Sequence, residues 1–72
     1  MKERSMVIDA TVVRIMKARK TMTHIDLITM VIEQITLFKA QPKLTKTRIE
    51  SLIERDYLER DPKEKGTYIY KP

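Results

Sequence analysis

The side chains in this sequence that could take part in chemistry are almost all cations. The chain has no cysteine, one histidine (His24) and one glycine (Gly66). Without thiols there are no disulfides or thiolate metal sites, and one imidazole cannot assemble a zinc cluster. A lone glycine leaves no Gly-rich loop to cradle a phosphate. No cofactor and no metal are therefore expected, and the chain is too poor in sites to be an enzyme by itself. What remains is 15 Lys and Arg against 10 Asp and Glu, a formal net charge of +5. Lys2 to Lys20 holds six bases and two acids, and Lys39 to Arg48 holds four bases and no acid. Ile49 to Asp61 reverses the sign, with five acids opposed only by Arg55 and Arg60. Two positive segments could meet nucleic acid or an acidic protein surface, or be no more than a solvated exterior.

Positioning these charges requires a fold, and 72 residues, 42% of them hydrophobic, allow one small domain over residues 1–72. Apolar runs fall far short of the roughly 20 residues that span a bilayer, so no membrane is expected. The opening Met1-Lys2-Glu3-Arg4-Ser5 is charged and lacks a signal-peptide pattern, which points to an intracellular compartment. Ile8, Val12, Ile15 and Met16 recur at i, i+4, i+7 and i+8, which predicts a helix over about Arg4 to Arg19. Thr21-Met22-Thr23 suits a brief strand, and Thr23 with Asp26 three residues on reads as a capping start. The second helix carries Leu27, Val31 and Ile35, with Phe38 closing its stripe. Its many β-branched residues make it a poor helix that packing must hold. Pro42 suits the first position of a third helix, which buries Ile49, Leu52 and Ile53 and ends near Asp56. Tyr57 to Arg60 and Thr67 to Tyr70 alternate apolar and polar around a polar turn from Asp61 to Gly66. Helix, short strand, helix, helix and hairpin is the order of a winged helix: an α+β fold with a three-helix bundle and a two-stranded wing.

At about 100° per residue from Ile8, Val12, Ile15, Met16 and Arg19 fall within roughly 80° of the buried direction. Lys17 falls near 180°, at the centre of the opposite face. Met6, Ala10, Val13 and Lys20 share that side, with Arg14 at its edge. Val13 and Met6 would then be apolar residues stranded on the solvent face. His24 reads as a first-turn residue of the second helix, not a catalyst. Tyr57, Tyr68 and Tyr70 are expected to pack the wing against the helices with their hydroxyls reaching water.

The run Ile8 to Lys20, Ile-Asp-Ala-Thr-Val-Val-Arg-Ile-Met-Lys-Ala-Arg-Lys, resembles the segment around the modified lysine of cullins, the scaffolds of multisubunit ubiquitin ligases. Arg48 to Asp61, Arg-Ile-Glu-Ser-Leu-Ile-Glu-Arg-Asp-Tyr-Leu-Glu-Arg-Asp, resembles the last helix and first wing strand of the same C-terminal winged-helix domain. His24 with Leu27 and Tyr68 with Tyr70 fit as well, and the third helix is most similar to the cullin-4 type. Departures are Thr11 in place of alanine, Met30 in place of glutamate, Ala40 in place of proline and Thr45 in place of an aliphatic residue. The closing Lys71-Pro72 also stands where most cullins end in a small apolar residue.

The resemblance implies a C-terminal neddylation domain in which Lys17 is the acceptor of a Nedd-type ubiquitin-like modifier. Its amine would attack the thioester that joins the modifier to a conjugating enzyme, giving an isopeptide bond. Only the neutral amine is nucleophilic and an ordinary lysine titrates near 10.4, so the enzyme partner must supply most of the activation. Implied partners are a RING-box subunit, the conjugating enzyme, a Dcn-type co-ligase and a cullin-associated exchange factor, in the cytoplasm and nucleus. Arg14, Val13 and Lys20 would form the docking surface around Lys17. The competing reading is a DNA-binding winged helix, using Lys43, Lys46 and Arg48 on the third helix with Lys63 and Lys65 in the wing. Glu50, Glu54 and Asp56 along the same helix would oppose phosphate contact.

Overall fold

The computed structural model describes residues 4–72. Lys2 and Glu3, which enter the charge tally of the first segment, lie outside the described residues together with Met1. The first helix, α1, runs Arg4–Arg19 and buries Ile8, Val12, Ile15 and Met16 as its periodicity requires. Thr11 is buried beside them, and its hydroxyl donates to the Val7 carbonyl at 2.8 Å. That bond satisfies the one polar side-chain atom this threonine carries into the core. Arg19, which falls toward the apolar side on a helical wheel, is exposed at the last position of the helix.

Strand β1, Thr21–Thr23, turns Met22 inward. The Thr23 hydroxyl then caps helix α2, His24–Gln34, by accepting from the Asp26 N–H at 3.2 Å. Leu27, Ile28 and Val31 are its buried face. The helix stops earlier than the apolar stripe suggests: Ile35 is already extended, with ψ 113°, and Phe38 lies in the following loop. Ile32, Ile35 and Thr36 are β-branched and give little intrinsic support to another turn, while Ile35 and Ala40 are buried from the loop itself.

Helix α3 spans Pro42–Glu54, with Pro42 in its first turn and Ile49 and Leu52 buried. Thr45 is fully buried and donates to the Gln41 carbonyl at 2.9 Å, so a second buried hydroxyl is satisfied, here by the cap residue of its own helix. Ile53, expected in the core, is half-buried at its edge. The wing follows as β2, Leu58–Arg60, and β3, Thr67–Tyr70. Its turn is built on Asp61, whose Oδ1 accepts from the N–H groups of Lys63 and Glu64 at 2.8 and 3.2 Å. Gly66 completes it at φ 74°, a conformation that costs glycine least.

The wing is more than a hairpin. The sheet has three antiparallel strands in the order β1-β3-β2, so β3 has a neighbour on each side. Tyr68 lies opposite Met22 in one ladder and Arg60 in the other. Contrary to expectation its hydroxyl does not reach water: the residue is buried and shares a 2.7 Å hydrogen bond with His24 Nδ1. Because Leu52 is 1% exposed and meets the core from α3, Leu52→Ala should lower unfolding free energy by about 2–5 kcal/mol. Denaturant titration of the two proteins measures this, and a change under 1 kcal/mol would contradict the described core.

The outer face of α1 as candidate functional site

The buried stripe of α1 fixes where its other residues point. Lys17 is exposed in the last turn, where a positive charge is favoured by the carbonyl end of the helix. Among the described residues none engages its amine. Arg14 is exposed one turn earlier and donates from Nη2 to Gln34 Oε1 at 3.3 Å, which ties the face to the end of α2. Ala10 and Met6 extend it toward the N-terminus, with Met6 66% exposed.

Two residues differ from their sequence reading. Val13 is half-buried and packs against the core, where the helical wheel alone strands it in solvent. It lines an open groove of about 360 Å³ in which Val13, Met6 and Ala10 face Leu52 and Tyr57. Lys20, which the helical wheel puts on the Lys17 side, lies just past the expected helix end with φ 73°, and its Nζ lies 5.1 Å from the centre of the Tyr70 ring.

Asp9 sets the rotation of the helix and escaped the sequence reading. Its carboxylate accepts from Arg48 Nε at 2.9 Å and Nη2 at 2.8 Å, and from Arg55 Nη2 at 2.9 Å. Arg48 lies on α3 and Arg55 caps its C-terminal end, and the seven-residue spacing puts both on one side. That spacing was the available signal, but nothing in it says which helix that side meets. Burial pushes the Asp9 carboxyl up, and the hydrogen bonds and charges of Arg48 and Arg55 outweigh this and hold it below its ordinary 3.8. Burial raises the Tyr68 phenol above its ordinary value, against an opposing pull from Arg60.

The residues of the nucleic-acid reading are not gathered into one free surface. Arg48 spends two of its donors on Asp9. Lys43 and Lys46 are exposed near the start of α3 and Lys63 and Lys65 in the wing turn, with the acidic second half of the helix between them in the chain. Glu50 there lies 3.8 Å from Arg60 of β2, pairing helix to wing.

A winged-helix domain that presents an unengaged lysine on the outer face of its first helix is the class that these observations define. Residues 3–64 match the model of the cullin protein neddylation domain. The chain is 52% identical over 64 residues to cullin-3 of Dictyostelium discoideum, covering 88% of this chain and 8% of that one. It is 48% identical over 68 residues to cullin-4 of Caenorhabditis elegans, covering 94% and 8%. These identities over the whole chain do not single out the cullin-4 type. A chain in a solved structure of Dcn1(P)-Cdc53(WHB), from work on a dual E3 mechanism for Rub1 ligation to Cdc53, superposes with a TM-score of 0.90. It has 34% identity, and the match covers 96% of this chain and 80% of that chain. The chain belongs to the cullin neddylation-domain family. It spans about a tenth of the length of the curated relatives it matches.

The Asp9 cluster makes a pH dependence. A carboxyl with a lowered folded-state pKa stabilises fully above its unfolded value of 3.8 and loses that contribution as pH falls through the folded value. The stability gap between wild type and Asp9→Asn should therefore be widest near neutral pH and narrow below pH 3.8. Urea unfolding at a series of pH values measures it, and a constant gap would show that the ion pairs contribute nothing.

Proposed function

We propose that this domain is the C-terminal piece of a cullin scaffold in a multisubunit RING ubiquitin ligase, and that Lys17 is the acceptor for a Nedd-type modifier. The observation that carries the reading is the Lys17 amine, exposed and unengaged at the end of α1 inside the motif shared with the family. In this reading the domain is a substrate: the amine attacks a thioester on a conjugating enzyme, and the RING-box subunit and a Dcn-type co-ligase bring the two together. The co-ligase is suggested by the Dcn1 partner of the matched Cdc53 domain. A cullin-associated exchange factor would compete for the unmodified ligase. The groove beside Val13 offers apolar contact, and Arg14 and Lys20 offer positive charge for acidic partners.

Since Lys17 faces away from the core, attaching a whole ubiquitin-like protein there leaves the domain's packing intact. The modifier acts instead by disfavouring the domain's resting contacts, a population shift that gives the RING subunit more reach toward substrate. No observation favours the DNA-binding alternative, which loses Arg48 to Asp9.

The test is an in vitro reaction of the ligase with modifier, conjugating enzyme and RING partner, followed by mapping of the modified lysine. Lys17→Arg should leave the thermal unfolding midpoint unchanged and abolish modification; a modifier that maps mainly to another lysine would overturn the assignment. Charge reversal at Arg14 and Lys20 together should slow modification and weaken co-ligase binding by ten-fold or more, a loss of about 1.4 kcal/mol or greater. Unchanged rate and affinity would rule out electrostatic docking at this face.

A further inference from the structure

Lys20 lies three residues beyond Lys17, and helix periodicity alone puts both amines on the outer side of α1. The structure separates them. Lys20 is the first residue past the helix and occupies the left-handed region at φ 73°, which few non-glycine residues adopt. Its N–H donates to the Met16 carbonyl at 2.7 Å, and its carbonyl accepts from the Tyr70 N–H at 2.8 Å. The chain leaves the helix direction here, and the Lys20 side chain turns to the sheet, where its Nζ stands 5.1 Å from the centre of the Tyr70 ring. The ring is itself placed by the sheet: Tyr70 is half-buried and opposite Leu58 at the end of β3. No comparable contact holds Lys17 among the described residues.

We propose that Tyr70 is a specificity-determining residue for modification: it holds the Lys20 cation on its ring and so leaves Lys17 as the acceptor. This rests on the reading of Lys17 given above. In the transfer, a deprotonated amine attacks the carbonyl of the thioester-linked modifier. A C–N bond forms, the C–S bond breaks, the conjugating enzyme leaves as thiolate, and the amine's second proton passes to solvent. The nitrogen must reach the thioester carbon to begin. A lysine attracted to a ring face on the sheet is withdrawn from that approach, whereas the neighbouring free lysine is not.

Two readouts test the proposal. In the first, the 72-residue chain is acetylated to low extent with a small amine-reactive ester, and occupancy at Lys17 and Lys20 is measured by mass spectrometry. Tyr70→Ile keeps strand propensity but removes the ring, and should raise the Lys20 to Lys17 ratio roughly two- to five-fold, the range of an exposed cation–π contact. Tyr70→Phe keeps the ring face and should behave as wild type. If Tyr70→Ile fails to fold, the wild-type protein still decides: the Lys20 ε-methylene protons should show an upfield ring-current shift in its NMR spectrum, and no shift would overturn the proposal. In the second readout, the same variants are modified in the assembled ligase, where the Lys20 share should rise for Tyr70→Ile and stay low for Tyr70→Phe. Wild type modified at Lys17 with no gain at Lys20 in Tyr70→Ile overturns the role of Tyr70 alone. A wild-type modifier found away from Lys17 overturns the acceptor reading, and the role of Tyr70 with it.

Discussion

Tyr68 sits in the middle of the sheet, opposite Met22 on one side and Arg60 on the other, with its hydroxyl on His24. Burying that one ring requires three strands, the start of α2 and the turn before Gly66 to be in place together. The wing turn is drawn in by the same arrangement, since the His24 N–H donates to the Gly66 carbonyl at 2.6 Å. A two-stranded hairpin would be marginal in water. Here the wing is made part of the core by a third strand from the other end of the domain, and the aromatic residue at its centre has no polar atom left unpaired.

The bundle constrains α1 in a complementary way. Five residues, Ile8, Thr11, Val12, Ile15 and Met16, face inward, and Asp9 is held at the flank by Arg48 of α3 and Arg55 just past its end. Arg14 reaches the end of α2 from the opposite flank. Rotation about the helix axis would break one contact or the other, so the direction of Lys17 is a consequence of packing on three sides. Among the described residues, Lys17 sits in no dedicated pocket. Its direction is what remains once the buried stripe and the two flanks of its helix are engaged.

Much of this was legible in the residues. The stripe of α1, the Thr23 cap, Pro42 at the start of α3 and the turn from Asp61 to Gly66 are local signals, and the structure has all of them where the sequence placed them. Lys17 is legible on the same terms, because helical periodicity needs no knowledge of neighbours. The misreadings share a cause. Val13, Arg48, Tyr68 and Lys20 are each defined by a partner distant in the chain or by a local backbone angle: the α1–α3 groove, Asp9, His24, and the left-handed turn with Tyr70. The end of α2 was missed because apolar spacing continues past it. Ile35 is buried whether helical or extended, so the pattern alone does not mark the change.

The placement of β3 also orders events in folding. Its partners in β1 are 44 to 48 residues away, from Thr23↔Thr67 to Thr21↔Ile69, while the contacts inside each helix span only a few residues. Local contacts close quickly, and a pairing across such a length waits on the slower loop closure. The helices would therefore form first, and the joining of β3 to β1, like the docking of α1 against α3, is a later step. During synthesis β1 is made long before β3 and stays an open edge until the final residues of the domain emerge from the ribosome. A mutation that weakens β3 would thus be felt by the newly made chain, as longer exposure to chaperones and proteases, before it was felt by the finished domain.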